Sequence, residues 1–418
     1  MTHLLFVDSN VPGFNTMRIA QERGYSVSFI QSKYRLYTET GFTRSVTNKV
    51  DNLVSIDDPT SLDEVIDAMR TIQSLEAIDG VITQLEPCVD TVANACQALD
   101  IRFTDAQAVQ NSRNKHRARR LIEKAGLRSG FHAVAYDAAE VARIVENFGK
   151  PVIVKPQVGF DSILSFAARN AKEAQLAAQE IMNGIENLAP EIREQISKGL
   201  LIEELLVGPL VSVELGLLDG QFYRFMVSGR PRAKDNECIE MGASMPAQLT
   251  DEAKSECCEY AEQVAKAIGL DLGIFHIELI VTQHGPALVE VNPRLMGGVM
   301  PSLYENVTGD CILEHLIDIH LGNPPAWGGC LPSSAITTRK LMPKVDAQLP
   351  KSFDLSWLFK MDDVIQFDPY KLEPGAPVKM HDILARFQVK HDSMLEADRH
   401  ADTYLAKIAK ELRIELFE

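Results

Sequence analysis

The chain has 418 residues, which exceeds one ordinary hydrophobic core and fits two to four packed domains. Its net charge of −16 at pH 7 argues against a nucleic-acid partner, because such binding depends on lysine and arginine contacts to phosphates. The seven cysteines include no CxxC pair, so we expect neither a disulfide framework nor a zinc site. No apolar run approaches the roughly 18 residues that span a bilayer, and the N-terminus lacks a signal-peptide pattern, so we expect a cytoplasmic protein without a membrane partner.

The first 110 residues alternate between strand and helix patterns. The strands are predicted at residues 4–8, 26–30 and 80–83, and the helices at residues 15–23, 63–69 and 90–99. This alternation predicts a doubly wound parallel sheet of the α/β class. No GxGxxG follows the first strand, so a dinucleotide-binding domain is not indicated.

The middle of the chain changes from alternating elements to strands joined by hairpins. The predicted elements are a basic helix at 111–125, a helix at 138–147, a strand at 151–156, a helix at 171–183 and a strand at 200–206. Asp219-Gly220 is a strong two-residue turn signal, so an antiparallel sheet and an α+β arrangement are predicted from this point. A final helix is predicted at 398–411.

The most informative stretch is a predicted hairpin whose strands lie at 275–282 and 286–294. With a loop at 283–285 and Gly285 in the left-handed position, paired residue numbers sum to 568. Glu278 then lies opposite Glu290, and His276 lies opposite Asn292. Because side chains alternate along a strand, these four share one polar face. The opposite, apolar face is predicted to consist of Leu279, Val281, Val289 and Val291.

The two opposed glutamates predict a cation between them. Like charges directly across a sheet repel and destabilise it unless a cation intervenes. Carboxylate oxygens beside the amide oxygen of Asn292 suit Mg²⁺, which usually keeps waters and takes further oxygens from a nucleotide. The alternative is that Glu278 and Glu290 simply lie on a solvated face, which we would favour if the hairpin stood alone.

A phosphate-binding segment is predicted after the strand at 151–156. Lys155 ends this strand, and the following loop contains Gly159 and Ser162, so backbone N–H groups, a hydroxyl and an ammonium could hold phosphate oxygens. Lys115 begins a basic stretch and is a second candidate phosphate contact, although such a lysine is more often solvated. The chain contains no GxxxxGK[ST], so this is not a P-loop.

The order of these segments resembles that of the ATP-grasp superfamily over most of the chain. The segments that carry the resemblance are NKHRARRLIEKAGL, VIVKPQVGFDS, LIEELLVGPLVSVEL, FHIEL and ALVEVNPRLMGG. The resemblance implies an ATP-grasp fold with an N-terminal α/β domain at 1–110, a linker helix and lid lobe at 111–205, an antiparallel lobe with the metal site at 206–335 and a small α+β domain at 336–418.

The resemblance also implies roles for individual residues. The residues implied to bind ATP are Lys115, Lys155, Ser162, Glu203, Glu204 and Leu206, the first two at its phosphates, Ser162 in the closing loop and the last three around the adenine. The implied magnesium ligands are Glu278, Glu290 and Asn292, which would hold two ions, with manganese able to substitute. Arg294 matches the arginine that holds the transferred phosphate and the acyl intermediate, so the implied catalytic pair is Arg294 and Lys155.

Within this superfamily the chain looks most like the L-amino acid ligases, which include dipeptide synthetases of antibiotic biosynthesis. The resemblance lies in GIFHIEL, EVNPRLMGG and VITQLEP. It implies an enzyme that joins the carboxylate of an amino acid, or of an acyl-amino acid, to the amine of another through an acyl phosphate, releasing ADP and phosphate. We also expect a homodimer.

Four residues are candidates for reading the substrates' ammonium groups or side chains: Glu86, Glu240, Met245 and His276. For Glu86 we favour a simple turn residue, and for Met245 a packing residue. His276 lies on the polar face of the predicted hairpin, which we call the metal face because it carries Glu278, Glu290 and Asn292. It could contact substrate, but it could instead orient Glu278 or Asn292.

Two other functions remain open at this point. A carboxylase or formate-using ligase would share the ATP chemistry, but we would expect QVEH after the arginine, whereas LMGGVMPSLYE follows Arg294. A nucleotide-binding protein without catalysis is the second alternative. It is disfavoured because Arg294 and all three metal-ligand positions are present.

Overall fold

The computed structural model describes residues 1–33, 37–157, 164–186, 199–329 and 331–418. The chain begins with a parallel sheet in the order β3-β2-β1-β4. Its strands are β1 (His3–Val7), β2 (Ser26–Ser32), β3 (Asn52–Ile56) and β4 (Gly80–Ile82). The helices of this region are α1 (Val11–Glu22), α2 (Gly41–Thr47), α3 (Leu62–Leu75) and α4 (Val89–Ala98). Each predicted element of this region is present, although α1 begins at Val11, four residues before the predicted start, and β3 and α2 were not predicted.

Side-chain alternation in β1 explains why helices cover both faces of this sheet. Leu4 and Phe6 belong to one apolar core and Leu5 and Val7 to another, and all four are buried. Successive side chains of a strand point to opposite faces, so a fully apolar strand must be covered on both sides. The doubly wound class is therefore confirmed.

The basic segment forms two helices, α5 (Ala106–Arg113) and α6 (Lys115–Lys124), so the prediction of a single helix at 111–125 was wrong. Asn114 interrupts the helix with non-helical backbone angles and caps the second one. Its side-chain oxygen accepts a hydrogen bond from the Arg117 N–H at 2.8 Å. Asparagine favours this position because it satisfies an N–H that has no partner within the helix. Lys115 consequently lies at the start of α6.

A second sheet is antiparallel and has the order β5-β8-β6-β7. Its strands are β5 (His132–Ala135), β6 (Val152–Pro156), β7 (Phe166–Ala168) and β8 (Leu200–Glu204), and the helices of this lobe are α7 (Ala138–Phe148) and α8 (Ala171–Glu186). Lys155 lies on β6 beside β8, which carries Glu203. The predicted strand at 200–206 is two residues too long at its C-terminal end.

The largest sheet has the order β15-β14-β9-β10-β13-β16-β20-β18. Its strands are β9 (Leu210–Leu218), β10 (Gln221–Gly229), β13 (Ser244–Met245), β14 (Gly273–Thr282), β15 (Gly285–Asn292), β16 (Ala335–Leu341), β18 (Val364–Pro369) and β20 (Ala385–His391). The remaining strands are β11 (Arg232–Ala233), β12 (Asn236–Glu240), β17 (Ala347–Gln348) and β19 (Pro377–Val378), and the remaining helices are α9 (Asp251–Ile268), α10 (Met300–Thr308), α11 (Ile312–His320) and α12 (Met394–Leu412).

Two sequence features explain the course of the largest sheet. Asp219 and Gly220 both have positive φ, +49° and +80°, so the predicted two-residue turn between β9 and β10 is confirmed. The C-terminal residues have a core of their own, yet β16, β18 and β20 extend the same sheet, with β16 paired to β13. The predicted limit between residues 335 and 336 therefore falls at the start of a strand that is shared between the two regions.

The described cysteines are free, and four of the six are buried. Burial raises the pKa of the Cys257 thiol to about 12 and that of the Cys258 thiol to about 11. Both thiols are thus neutral near pH 7. Within the described ranges, we find no helix with the length and apolar character needed to cross a bilayer.

Gly208 precedes β9 in a conformation that only glycine tolerates. Its φ is +147°, and a β-carbon there would overlap the backbone carbonyl oxygen of Val281. We expect Gly208→Ala to lower the free energy of unfolding by roughly 3 kcal/mol or more, because backbone strain and steric overlap add. Thermal unfolding measures this. Gly24→Ala is the control, since Gly24 also has positive φ but open space around it, and an equal loss in both variants would contradict the overlap.

Candidate active site

The hairpin of β14 and β15 places four polar residues on one face. His276 pairs with Asn292 and Glu278 with Glu290, as predicted. The loop prediction was wrong, because Thr282 pairs with Gly285 and the turn contains only two residues. A bulge at Val289 restores the predicted register beyond the turn, so the glutamates still face each other.

The bulge changes the apolar face of the hairpin. Leu288 lies in the core, where Val289 was predicted, while Val289 is only partly buried. The carbonyl oxygen of Val289 accepts a hydrogen bond from Nη2 of Arg119 at 2.7 Å. An extra residue in a bulge leaves its backbone groups outside the sheet ladder, so this carbonyl is available to a side chain from α6.

Each glutamate of the pair contacts a cationic side chain. Nζ of Lys115 lies 3.1 Å from Oε2 of Glu290. Nη2 of Arg230 lies 3.7 Å from Oε1 of Glu278, and Nε2 of His276 lies 3.1 Å from the same oxygen. Burial of Glu278 alone would raise its pKa, but the hydrogen bond from His276 and the charge of Arg230 lower that pKa to about 2. The predicted requirement for positive charge is thus met by these side chains.

His276 is held between two carboxylates. Its Nδ1 lies 2.6 Å from Oε1 of Glu214, which is fully buried on β9. Burial would lower the pKa of His276, yet Glu214 and the hydrogen bond to Glu278 raise this pKa to about 9. The imidazole is therefore protonated at neutral pH and donates to both carboxylates. This geometry favours the reading in which His276 orients Glu278.

Glu240 is engaged by two cations instead of facing open space. Its Oε2 accepts hydrogen bonds from Nε and Nη2 of Arg230 at 2.9 and 2.6 Å. Its Oε1 lies 3.3 Å from Nζ of Lys340. Both oxygens therefore have partners within the protein, and the contacts fix the orientation of Arg230.

Glu203 lies between two cations at the junction of the second sheet and α6. It forms ion pairs with Lys155 and with Nε of Arg119, the latter at 2.7 Å. Burial would raise the pKa of Glu203, but the charges of Arg119 and Lys155 lower it to about 2. Lys155 is thus held by a buried carboxylate, and a phosphate that binds Lys155 has to compete with Glu203.

Three further residues were predicted to contact the nucleotide: Glu204, Leu206 and Ser162. Glu204 is partly buried and forms an ion pair at 3.2 Å with Lys150, which is largely exposed, while Leu206 lies beyond β8 and is partly buried. Ser162 falls outside the described residues. Cys238 of β12 contacts the backbone of Ala167 of β7. The two-stranded sheet of β11 and β12 therefore meets the second sheet at β7.

Arg294 contacts a residue of the N-terminal region. Its Nε lies 2.5 Å from Oε2 of Glu86, and its Nη1 donates to the carbonyl oxygen of Leu295 at 2.9 Å. Glu86 begins a short helical turn, Glu86–Cys88, after β4, and Arg113 approaches it to 3.8 Å. Glu86 is therefore more than the turn residue that we favoured, because it joins the N-terminal sheet to the hairpin of the metal face.

Met245 lies on β13 and is fully buried within an apolar core. Its backbone pairs with Ile336 of β16. This location matches the packing role that we favoured over substrate recognition.

The ligand set of the hairpin fits Mg²⁺. Among the described residues, no three histidine, cysteine, aspartate or glutamate side chains form a metal-binding cluster. Mg²⁺ commonly takes one or two protein carboxylates and completes its coordination with water and phosphate oxygens. Glu278, Glu290 and Asn292 therefore suit magnesium that arrives with a nucleotide better than a metal held by protein alone.

Sequence reasoning missed Arg119, Glu214 and Arg230. Arg119 is one of several basic residues in its helix, and nothing in the sequence distinguishes it as the buried one. Glu214 and Arg230 lie on β9 and at the end of β10, and they reach the metal face only through the pairing of β9 with β14 and with β10. A polar residue within the apolar run LVSVELGLL was the one available signal for Glu214.

Comparisons with known proteins identify two family models that match the chain. A family model described as "ATP-grasp domain" matches residues 148–302, and one described as "ATP-grasp N-terminal domain" matches residues 17–101. Together they cover more than half of the chain. The first covers β6, β7 and β8 of the second sheet and the β14–β15 hairpin, and the second covers β2, β3 and β4 of the parallel sheet with the helices between them.

Individual relatives are distant. The chain is 27% identical over 262 residues to the uncharacterized protein y4rH of Sinorhizobium fredii, covering 62% of this chain and 52% of that protein. It is 23% identical over 270 residues to alanine–anticapsin ligase of Bacillus amyloliquefaciens, covering 62% of this chain and 57% of that protein. The chain thus spans about half the length of the curated relatives it matches. The crystal structure of L-amino acid ligase from Bacillus licheniformis has a TM-score of 0.77 and 18% identity, with 97% of each chain covered, and shows the same fold.

Proposed function

The chain belongs to the ATP-grasp superfamily, and from this premise we propose that it is an ATP-dependent carboxylate–amine ligase that joins two amino acids, or an acyl-amino acid and an amino acid. The observation that carries the proposal is the polar face of the β14–β15 hairpin. There Glu278 and Glu290 oppose each other, with Asn292 beside them and Arg294 just beyond. Paired carboxylates with nearby cations suit phosphoryl transfer, which depends on positioning and charge stabilisation.

The reaction proceeds in two steps. A carboxylate oxygen of the acid attacks the γ-phosphorus of ATP, the bond from that phosphorus to the bridging oxygen breaks, and ADP leaves with the electron pair. The amine, after losing one proton, then attacks the acyl carbon of the acyl phosphate. The carbon–oxygen bond to the phosphate breaks and the nitrogen loses a second proton, which leaves an amide and inorganic phosphate.

The residues divide this chemistry among them. Lys115 and Lys155 bind the phosphates of ATP, and each exchanges its present glutamate partner for a phosphate oxygen. Glu278, Glu290 and Asn292 would hold two magnesium ions, which neutralise charge on the outer phosphates when bound. Arg294 stabilises the transferred phosphoryl group and the tetrahedral carbon. Glu203, Glu204 and Leu206 border the adenine.

We expect turnover to release ADP and phosphate. The test combines ATP with magnesium, or with manganese in parallel, and pairs of amino acids, and separates the nucleotides by chromatography. ADP release that requires two amino acids supports the ligase. AMP among the products would exclude the acyl-phosphate route, and the absence of any amino-acid-dependent nucleotide release would indicate a protein that only binds ATP. If ADP release instead required bicarbonate or formate, that acid would take the place of the amino acid carboxylate in the proposed reaction.

A further inference from the structure

Arg230 is a buried cation at the metal face that lies outside every segment in which we recognised the family resemblance. Arg230 directly follows the end of β10, and its side chain is 13% exposed. A buried guanidinium is retained at a site only when several acceptors meet its five N–H donors. Its surroundings therefore indicate what it is arranged to bind.

One edge of the guanidinium is fixed by the protein. Glu240 accepts from Nε and Nη2 at 2.9 and 2.6 Å, and Lys340 in turn approaches Glu240 at 3.3 Å. Nη2 also lies 3.7 Å from Oε1 of Glu278, which is a predicted magnesium ligand. Two donors toward one carboxylate set the plane of the guanidinium and aim its remaining N–H groups.

The other terminal nitrogen has a poor partner. Nη1 lies 2.6 Å from the sulfur of Met300, the first residue of α10. A thioether is a weak acceptor, whereas buried N–H groups are nearly always matched by oxygen. An incoming anionic oxygen would be a far better partner at this position, and Met has the flexibility to move aside.

We propose that Arg230 binds the carboxylate of the acid substrate and remains bound to the acyl phosphate formed from it, an inference that rests on the proposed ligase function. The acid has to approach the γ-phosphate of ATP although both are anionic, and Glu278 and Glu290 add further negative charge. If Glu278 held magnesium, its contact with Arg230 would be released, while Glu240 would keep the guanidinium oriented with its remaining donors available to the substrate. Glu240 and Lys340 act as positioning residues for it.

The test uses acetyl phosphate, the simplest stable acyl phosphate, as the probe. Binding of acetyl phosphate to the protein saturated with Mn²⁺ and ADP is measured by titration calorimetry. We expect Arg230→Gln to weaken acetyl phosphate binding about tenfold or more, because a charge-assisted contact is lost. Arg230→Lys keeps the charge without the fork and should fall between the native protein and Arg230→Gln.

Two further measurements separate binding from a structural role. Mn²⁺ affinity in the presence of ADP, measured by electron paramagnetic resonance, should be unchanged or tighter in Arg230→Gln, because removing a cation beside Glu278 favours a metal ion there. Arg224→Gln is the control, since Arg224 lies on the same strand, pairs with Glu262 at 2.7 Å and is 39% exposed. Its acetyl phosphate affinity should equal that of the native protein.

The proposal is overturned if the native protein does not bind acetyl phosphate, if both Arg230 variants bind it normally, or if they lose manganese and acetyl phosphate binding to the same extent. If Arg230→Gln does not fold, the acetyl phosphate and Mn²⁺ affinities of Arg230→Lys are compared with those of the native protein in the same way. A native protein that binds acetyl phosphate but releases no ADP with any amino acid pair would refute the ligase function and leave the anion site standing.

Discussion

Replacing Arg294 with alanine is expected to lower turnover by about 10²–10³, with little change in ATP affinity. Negative charge builds on the transferred phosphoryl oxygens and then on the tetrahedral carbon, and a rigid guanidinium can meet both. Arg294→Lys should recover little, because a flexible ammonium lacks the planar fork. Pro293 fixes the backbone just before Arg294 and so directs its side chain. Turnover number and ATP affinity of both variants are the measurements.

The ion pair with Glu86 defines the competing explanation for Arg294. If the pair only joins the N-terminal sheet to the hairpin, removal of either member should lower thermal stability to a similar extent and leave turnover intact. A partly exposed pair of this kind is worth no more than about 1 kcal/mol. Glu86→Gln is therefore the matched control. Near-normal turnover in both Arg294 variants would remove Arg294 from the mechanism and weaken the ligase assignment.

Local patterns were sufficient to predict the face of the hairpin. Period-two alternation and Gly285 placed Glu278 opposite Glu290, and the structure keeps that pairing although the turn is one residue shorter. The bulge at Val289 compensates for the shorter turn. At the bulge the carbonyl oxygen of Val289 accepts a hydrogen bond from Arg119 of α6, a long-range contact that no local pattern could have revealed.

Two cationic contacts of the glutamate pair could not be predicted from the sequence. Lys115 and Arg230 reach Glu290 and Glu278 from elements outside the hairpin, and Glu86 reaches Arg294 across some 200 positions of the chain. Such contacts depend on how strands and helices assemble, whereas sequence patterns report periodicity within one element. The contact between His276 and Glu278, by contrast, lies within β14, where alternation had already placed both side chains on one face. The break between α5 and α6 is different, because it depends on a local signal: Asn114 is a capping residue that is visible in the sequence.

The place of the C-terminal strands in the fold depends on a similar long-range pairing. The C-terminal strands carry an apolar core of their own. Yet β16 pairs with the two-residue strand β13, which is too short to register as a strand pattern. Through this link Lys340 of β16 reaches Glu240, so the C-terminal region contributes to the surroundings of Arg230.

Glu290→Gln should abolish most turnover while the fold survives. Glu290 faces Glu278 across the hairpin, and its side chain is 25% exposed. Glutamine keeps the shape but removes one of two opposed charges, so repulsion falls while the contact with Lys115 weakens. For a partly exposed ion pair these opposing effects should leave the free energy of unfolding within about 1 kcal/mol, or roughly 2–4 °C in melting temperature.

Metal binding should respond in a different way from stability. Because Mg²⁺ takes few protein ligands, losing one carboxylate should weaken the Mn²⁺ affinity measured with ADP by about tenfold or more. Glu256→Gln, at an exposed residue that Arg128 approaches only to 3.9 Å, should change neither property and serves as the control. If Glu290→Gln instead melts many degrees lower and retains both manganese affinity and turnover, Glu290 stabilises the hairpin and binds no metal.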